Sequence, residues 1–247
     1  MRQLIRSYSI FQVVKEDFNI NLNEAKYFAG HSLGEYSALS CAGYLNFVET
    51  IKILRARGDA MQNSVPKGEG GMLAVLGIKI DDLEKILKDN QNKFVAQIAN
   101  DNSDGQIVLS GKTKDLQILS EFLKDNEIKN IKLPVSAPFH CNLMSKATKV
   151  MTEELQKISF KQSKNILISN VTANEISNID DLKSLLINQI EKKVRWRESI
   201  LHMINKGVNQ FIEIGPGKVL SGLIKRINKD VKISSINSQS DIESLNI

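Results

Sequence analysis

A serine lies between two glycines in the Gly-x-Ser-x-Gly motif formed by Gly30, Ser32 and Gly34. The motif follows a short apolar run and precedes a helix-forming segment, which is the setting of a serine nucleophile on a sharp strand-to-helix turn. We expect a side chain at Gly30 or Gly34 to crowd that turn. The helix predicted to begin at Leu33 directs free N–H groups and a partial positive charge at an oxyanion beside Ser32. The pattern therefore predicts nucleophilic catalysis by Ser32.

A serine nucleophile needs a general base, and the sequence contains three histidines. His31 is next to Ser32 on a turn where adjacent side chains diverge. His202 lies within a predicted helix, where a packing or surface role is expected. His140 lies in a loop between a predicted strand and a predicted helix, a position that functional side chains favour. Elimination therefore makes His140 the candidate base.

Arg57 is a charged residue on the apolar side of a helix predicted over residues 47–62. It lies three residues after Leu54 and four before Met61, which belong to the apolar stripe. One interpretation is that the stem of the side chain packs while the guanidinium reaches water. The other is that the guanidinium binds a carboxylate in a cleft through two parallel hydrogen bonds. The pattern alone leaves both open.

The helices and strands predicted around these residues indicate an α/β fold with two parts. Residues 68–135 show the order β-α-β-β-α-β, with a hairpin turn at Asp104-Gly105, which is typical of a ferredoxin-like unit. Helices and strands alternate through residues 1–67 and 136–247, which favours a hydrolase-like large subdomain with a mostly parallel sheet. We therefore predict a small ferredoxin-like subdomain inserted into a large α/β subdomain.

Length and composition exclude several classes of protein. The chain has 247 residues, 42% of them hydrophobic, which suffices for one large domain with an insertion. No apolar run approaches a membrane span and the first residues lack a signal peptide's apolar core, so we expect a cytoplasmic protein without membrane contact. The net charge is +5, yet the lysines are scattered, which argues against nucleic acid as a partner. Cys41 and Cys141 show no metal-ligand spacing and are expected to be reduced, structural thiols.

Seven motifs along the chain resemble those of the malonyl-CoA:acyl-carrier-protein transacylases, the acyltransferases of bacterial fatty-acid synthesis. They occur in the family's order and cover essentially the whole sequence, which makes the resemblance specific. The motifs are residues 30–36, Arg57-Gly58 with Met61-Gln62, residues 71–74, residues 99–102 with 105–111, and residues 135–141, 194–196 and 213–220.

The resemblance implies a transfer of malonyl in two steps. Ser32, deprotonated by His140, would attack the thioester of malonyl-CoA, and the phosphopantetheine thiol of acyl carrier protein would then take the malonyl group from the serine ester. Arg57 matches the residue that binds the malonyl carboxylate. The N–H of Leu33 would donate to the oxyanion. No metal and no bound cofactor are implied, since both thiols enter as substrates.

The resemblance alone implies roles for two further residues. Gln189 matches the position whose backbone carbonyl orients the histidine, so that no triad carboxylate is expected. Phe139 would crowd an α-methyl group, which favours malonyl over methylmalonyl. The resemblance also implies an acidic carrier protein as the partner, which suits a basic enzyme surface, and we expect a monomer.

The family begins with a strand and a Pro-Gly-Gln-Gly loop that supplies a second oxyanion donor, and nothing in this sequence corresponds to them. We therefore expect an N-terminally truncated gene model or a fragment. Loss of one such donor typically lowers kcat by about 10²–10³-fold.

Three other functions are weighed against this one. A serine thioesterase or esterase shares the serine motif, but it has no use for a carboxylate-binding arginine and normally carries Asp or Glu between Ser and His in the chain. An inactive module that binds carrier protein or CoA is favoured only by the missing loop. An acyltransferase domain of a polyketide synthase is disfavoured, because the last predicted strand leads into a short polar tail.

Overall fold

The computed structural model describes residues 1–245, so that residues 246 and 247 of the predicted large subdomain lie outside the described part. The chain forms two compact units. The first consists of Met1–Arg55, Ile158–Leu182 and Glu198–Ile247. The second consists of Ala56–Lys157 and Lys183–Arg197, and it contains all of the predicted ferredoxin-like segment. The exact subdomain boundaries given above stay a prediction.

Helices and strands alternate along most of the chain, as the sequence pattern predicts. Short 3₁₀ turns precede β1 and α6. The elements are α1 (Arg2–Glu16), β1 (Tyr27–Phe28), α2 (Leu33–Cys41), α3 (Phe47–Gln62), β2 (Gly70–Leu76), α4 (Ile80–Asp89), β3 (Ala96–Ser103), β4 (Gln106–Lys112), α5 (Thr113–Asp125), β5 (Asn130–Lys132), α6 (Ser145–Gln156), β6 (Ile166–Leu167), α7 (Ile179–Asn188), α8 (Trp196–Asn205), β7 (Gln210–Ile214), α9 (Val219–Ile227), β8 (Lys232–Ile236) and α10 (Gln239–Glu243).

The second unit is built on a four-stranded antiparallel sheet in the order β3-β4-β2-β5. Gly105, with φ of +73°, makes the β3–β4 hairpin turn. The strand order and the β-α-β-β-α-β sequence together confirm the ferredoxin-like prediction. Helices α4 and α5 supply Leu83 and Leu119 to the core that the sheet forms with them, and both side chains are fully buried.

The first unit contains two parallel strand pairs, β1 with β6 and β7 with β8. Phe28 of β1 lies opposite Leu167 of β6. A hydrophobic core joins α1 to the last strand and helix, and its buried members are Phe11, Val14, Leu22, Ile236 and Ile242. The parallel pairing agrees with the predicted α/β class. Among residues 1–245, every helix is too short or too polar to cross a bilayer.

Candidate active site

Ser32 lies on the turn between β1 and α2, in a backbone conformation that is rare for a residue with a side chain. Its φ is +52° and its ψ is −105°. The turn is closed by the Gly34 N–H, which donates to the His31 carbonyl at 2.8 Å, and by the Glu35 N–H, which donates to the Ser32 carbonyl at 3.1 Å. Strain of this kind persists only where the surroundings fix it, and it is concentrated at functional sites. The geometry is that of a nucleophile on a strand-to-helix turn.

The two glycines of the motif differ in the space around them. A Cβ on Gly30 would lie 2.0 Å from the carbonyl oxygen of Gly34, so this position admits only glycine. A Cβ on Gly34 would meet no atom within 4 Å. The expectation that a side chain crowds the turn is therefore wrong at Gly34. The physical reason is that Gly34 belongs to the first turn of α2, where side chains project away from the helix axis.

Asn170, which the sequence pattern did not single out, holds this turn from the neighbouring strand. Its Oδ1 accepts the Ser32 N–H at 2.7 Å, and its Nδ2 donates to the Gly30 carbonyl at 2.8 Å. Its own N–H donates to Oε1 of the buried Glu35 at 3.3 Å. Asn170 follows β6, so it lies at the carboxyl end of a strand parallel to β1. No local sequence spacing marks Asn170, because the serine turn and the segment after β6 meet only in the folded chain.

Leu33, predicted to donate its N–H to an oxyanion, is the first residue of α2. The first N–H groups of a helix have no acceptor within the helix. The Ser32 N–H is occupied by Asn170, whereas the Leu33 N–H has no hydrogen-bond partner anywhere in residues 1–245. The helix dipole of α2 adds a partial positive charge at the same place.

His140 lies in the second unit and is held by a backbone carbonyl. Its Nδ1 is 2.7 Å from the carbonyl oxygen of Gln189, and its side chain is almost completely buried. Since a carbonyl oxygen only accepts, Nδ1 carries the proton and Nε2 is the basic nitrogen of the neutral ring. His140 itself has φ of +59°. The group that orients this imidazole through Nδ1 is a backbone carbonyl.

Arg57 is bound to the same glutamine. Its Nη2 donates to Oε1 of Gln189 at 3.0 Å. Arg57 is only 6% exposed and Gln189 is fully buried, so a guanidinium that reaches water does not describe this side chain. The Gln189 amide that contacts this cation is neutral, so this contact adds no negative charge beside the guanidinium.

The loop before His140 is attached to the ferredoxin-like sheet. Ser110 of β4 donates from Oγ to the Phe139 carbonyl at 2.5 Å, and the Asn142 N–H donates to Oε1 of Gln97 at 2.7 Å. The half-buried Phe139 side chain packs on an apolar cluster of the sheet that includes Val108. The loop is therefore held on both sides of the histidine.

The segment that carries Gln189 is also anchored on this sheet. Val194 exchanges backbone hydrogen bonds with β3, donating to the Ala99 carbonyl at 2.8 Å and accepting from the Asp101 N–H at 2.9 Å. Arg197 contacts the fully buried carboxylate of Asp101, with Nε 3.1 Å from each oxygen and Nη2 3.0 Å from Oδ2. These contacts fix the segment in register with β3.

His202 belongs to a small polar cluster in the first unit. Tyr27 donates from its hydroxyl to Oε1 of Glu175 at 2.6 Å, and His202 Nε2 lies 3.7 Å from the same oxygen. Burial raises the pKa of Tyr27 to about 12, and the bond from Tyr27 lowers the pKa of Glu175. This cluster gives His202 the packing role expected for it.

Neither cysteine has the properties of a nucleophile. Burial raises the pKa of Cys41 to about 12 and that of Cys141 to about 11, so both thiols are protonated at neutral pH. Within the described part of the chain, no group of three or more His, Cys, Asp or Glu side chains is arranged to hold a metal ion.

The predicted site residues are divided between the two units. The structure brings His140, Arg57, Gln189 and Phe139 into the second unit and places Ser32 and Leu33 in the first.

Comparison with known proteins identifies the family. The profile described as "Acyl transferase domain" matches residues 23–244. The Bacillus subtilis (strain 168) protein named malonyl CoA-acyl carrier protein transacylase is 44% identical over 217 residues, which cover 87% of this chain and 68% of that protein. The Staphylococcus aureus (strain MRSA252) protein of the same name is 39% identical over 219 residues, which cover 88% of this chain and 71% of that protein.

Solved structures agree with the sequence matches. The acyl-carrier-protein-S-malonyltransferase from Bartonella henselae superimposes with a TM-score of 0.93 at 40% identity, covering 98% of this chain and 77% of that one. A malonyl-transacylase solved in complex with its type II PKS acyl-carrier protein has a TM-score of 0.91 at 32% identity. The match covers 98% of this chain and 77% of that one. The chain belongs to the acyl transferase domain family, and within it to the malonyl CoA-acyl carrier protein transacylases.

Proposed function

We propose that this chain transfers a malonyl group from malonyl-CoA to the phosphopantetheine thiol of acyl carrier protein, as a step of fatty-acid biosynthesis. The observation that carries the proposal is the double attachment of Gln189, which holds the imidazole of His140 and the guanidinium of Arg57. A base and a buried cation fixed by one residue are what an enzyme needs to act on an acyl group that ends in a carboxylate.

In the first half-reaction, Ser32 is the nucleophile and His140 is the base. As Oγ of Ser32 bonds to the thioester carbon of malonyl-CoA, its proton passes to Nε2 of His140, and the N–H of Leu33 stabilises the oxyanion. The tetrahedral intermediate collapses by breaking the C–S bond. The CoA sulfur leaves with the proton from His140, and the malonyl group stays on Ser32 as an ester.

The second half-reaction reverses these roles. His140 takes the proton of the carrier protein's phosphopantetheine thiol, and the sulfur attacks the malonyl-serine ester. The Ser32 oxygen leaves with that proton, so the enzyme returns to its starting state. Throughout the cycle the Gln189 carbonyl accepts from Nδ1 and stabilises the imidazolium, which replaces the carboxylate of a serine-hydrolase triad.

Arg57 and Phe139 set the acyl specificity in this proposal. The guanidinium of Arg57 binds the free carboxylate of the malonyl group, an interaction that acetyl groups cannot make. Phe139 crowds a substituent on the α-carbon and so disfavours methylmalonyl.

The proposed partner is an acyl carrier protein, and the proposed enzyme is a cytoplasmic monomer that needs no metal and no bound cofactor. The net charge of +5 suits an acidic partner. Support also comes from the relative that was solved with its acyl-carrier protein. The serine ester and the two substrate thiols carry all of the acyl chemistry.

The test is the intact mass of the protein after incubation with malonyl-CoA, followed by addition of holo acyl carrier protein. We expect a malonyl adduct that is absent from Ser32→Ala and that moves to the carrier protein. A folded protein that gains no adduct contradicts the proposal and leaves the inactive binding module. An adduct that is lost to water, with no malonyl on the carrier, identifies a thioesterase instead.

A further inference from the structure

Gln189 makes two contacts of different kinds. Its backbone oxygen accepts from His140 Nδ1 at 2.7 Å, and its side-chain Oε1 accepts from Arg57 Nη2 at 3.0 Å. Every residue type has a backbone carbonyl, so the contact with His140 does not require glutamine at this position. The contact with Arg57 does, because it needs an acceptor at the end of a side chain of this length.

The chemistry of the amide suits a cation that must remain available. Arginine is a long side chain with several rotatable bonds, and ordering it before the substrate arrives lowers the entropic cost of binding. A carboxylate in place of the amide would neutralise the guanidinium and compete with an incoming anion. A neutral oxygen orients the guanidinium without bringing a negative charge of its own.

The glutamine is itself rigidly held. It is fully buried, and the chain that follows it is anchored on β3 by the backbone bonds of Val194 and by the Asp101–Arg197 ion pair. The amide oxygen therefore has a fixed position from which it can direct the guanidinium of Arg57.

We propose that the Gln189 side chain is a positioning residue that orients the Arg57 guanidinium and so sets the preference for acyl groups that end in a carboxylate. This inference rests on the proposed function. It separates two roles in one residue: the main chain serves the base, and the side chain serves substrate selection.

The test compares malonyl-CoA with acetyl-CoA as acyl donors for Gln189→Met and Gln189→Glu. Methionine has a similar length and no strong acceptor, and it keeps the backbone carbonyl. We expect Gln189→Met to raise KM for malonyl-CoA about 10-fold more than KM for acetyl-CoA, the loss typical of one charge-assisted hydrogen bond. Gln189→Glu should show a larger malonyl-specific loss, about 100-fold, because its carboxylate occupies the guanidinium.

A matched control is Asn188→Met, which changes the exposed neighbouring amide at the end of α7 and should leave both KM values within about 2-fold of the wild type. A double variant shows whether Gln189 acts through Arg57. If it does, Gln189→Met adds no further loss of malonyl-over-acetyl selectivity to Arg57→Ala.

The outcomes separate this inference from the function on which it rests. Equal losses on both donors, or a further loss of selectivity in the double variant, overturn the positioning role while malonyl transfer by the wild type stands. A wild type that transfers no malonyl overturns both. If one variant fails to fold, as thermal unfolding will show, the other decides the question.

Discussion

The N–H of Ser32 and Oδ1 of Asn170 lie 2.7 Å apart, which ties the strained serine to the end of the adjacent parallel strand. The same amide donates to the carbonyl of Gly30, on the other side of the turn. A residue held at φ of +52° costs about 1–3 kcal/mol, and such a conformation persists only when several contacts fix it. Asn170 supplies two of those contacts through one side chain.

We therefore expect Asn170→Ala to lower both stability and the rate of Ser32 acylation. The substitution leaves the Ser32 N–H and the Gly30 carbonyl without their partner, and each buried group left unsatisfied costs about 1–3 kcal/mol. Thermal unfolding and the single-turnover rate with malonyl-CoA measure the two effects. Asn174→Ala, which removes only the local bond from an exposed side-chain amide to the Thr172 carbonyl, is the control and should change neither. An unchanged melting temperature for Asn170→Ala would contradict the role given to it.

The two motif glycines should respond in opposite ways to the same substitution. Gly30→Ala places a methyl 2.0 Å from a backbone oxygen and should lower Tm by about 5–10 °C. Gly34→Ala fills open space in a helix, where alanine is favoured over glycine by up to about 1 kcal/mol, so Tm should hold or rise slightly. Circular dichroism of both variants during heating checks this. Similar losses in the two variants would show that the turn is crowded at both positions.

Removal of Arg197 should destabilise the second unit strongly. Arg197→Ala leaves the fully buried carboxylate of Asp101 without its guanidinium, and breaking a buried pair in this way costs about 3–5 kcal/mol. Lys193→Ala is the matched control, because Lys193 lies 3.6 Å from the exposed Glu84 and such pairs contribute about 0–1 kcal/mol. Urea unfolding followed by circular dichroism compares them. Equal midpoints for the two variants would refute the anchoring role.

The Tyr27–Glu175 contact predicts a pH-dependent contribution to stability. The hydrogen bond from Tyr27 lowers the pKa of Glu175 in the folded protein, so the ionised carboxylate stabilises the fold above the unfolded pKa of about 4.3. That stabilisation is lost as the pH falls below this value and through the folded pKa. Tm of the wild type should exceed that of Glu175→Gln at pH 7, and the difference should shrink on acidification towards pH 3.

The control for this titration is the exposed Glu153 on α6, where a change to Gln should leave Tm unaffected at both pH values. A difference between wild type and Glu175→Gln that stays constant from pH 7 to pH 3 would mean that the carboxylate charge contributes nothing.

Periodicity predicted the bounds of helices better than the bounds of strands. The bounds of α3 agree with the residues expected, because its apolar stripe recurs at helical spacing. The last strand of the segment predicted over 68–135 is only three residues long, Asn130–Lys132. Pro134 has no N–H to donate to a ladder, so pairing stops just before it.

Three residues of the candidate site could be singled out from the sequence, and His140 was found by elimination among the histidines. Arg57 interrupts an apolar stripe, and Ser32 lies in a motif with a fixed backbone requirement. The role of Gln189 was predicted from the family resemblance alone, because the sequence around it has no periodic pattern that distinguishes this residue. Asn170 and the Asp101–Arg197 pair depend on segments that meet only in the folded chain, and no local spacing encodes such a meeting.

Because the segments of the two units alternate along the chain, the order of synthesis constrains when each unit can fold. Asp101 and Arg197 are 96 residues apart, and residues 158–182 of the first unit intervene between the parts of the second. The first unit in turn needs residues from 198 onward. Neither unit can fold completely before these later segments have been synthesised. Contacts between residues so far apart in sequence also form slowly. Each unit is therefore completed only after its last segment has been synthesised, and until then the chain is a partly folded species of the kind that aggregates or binds chaperones.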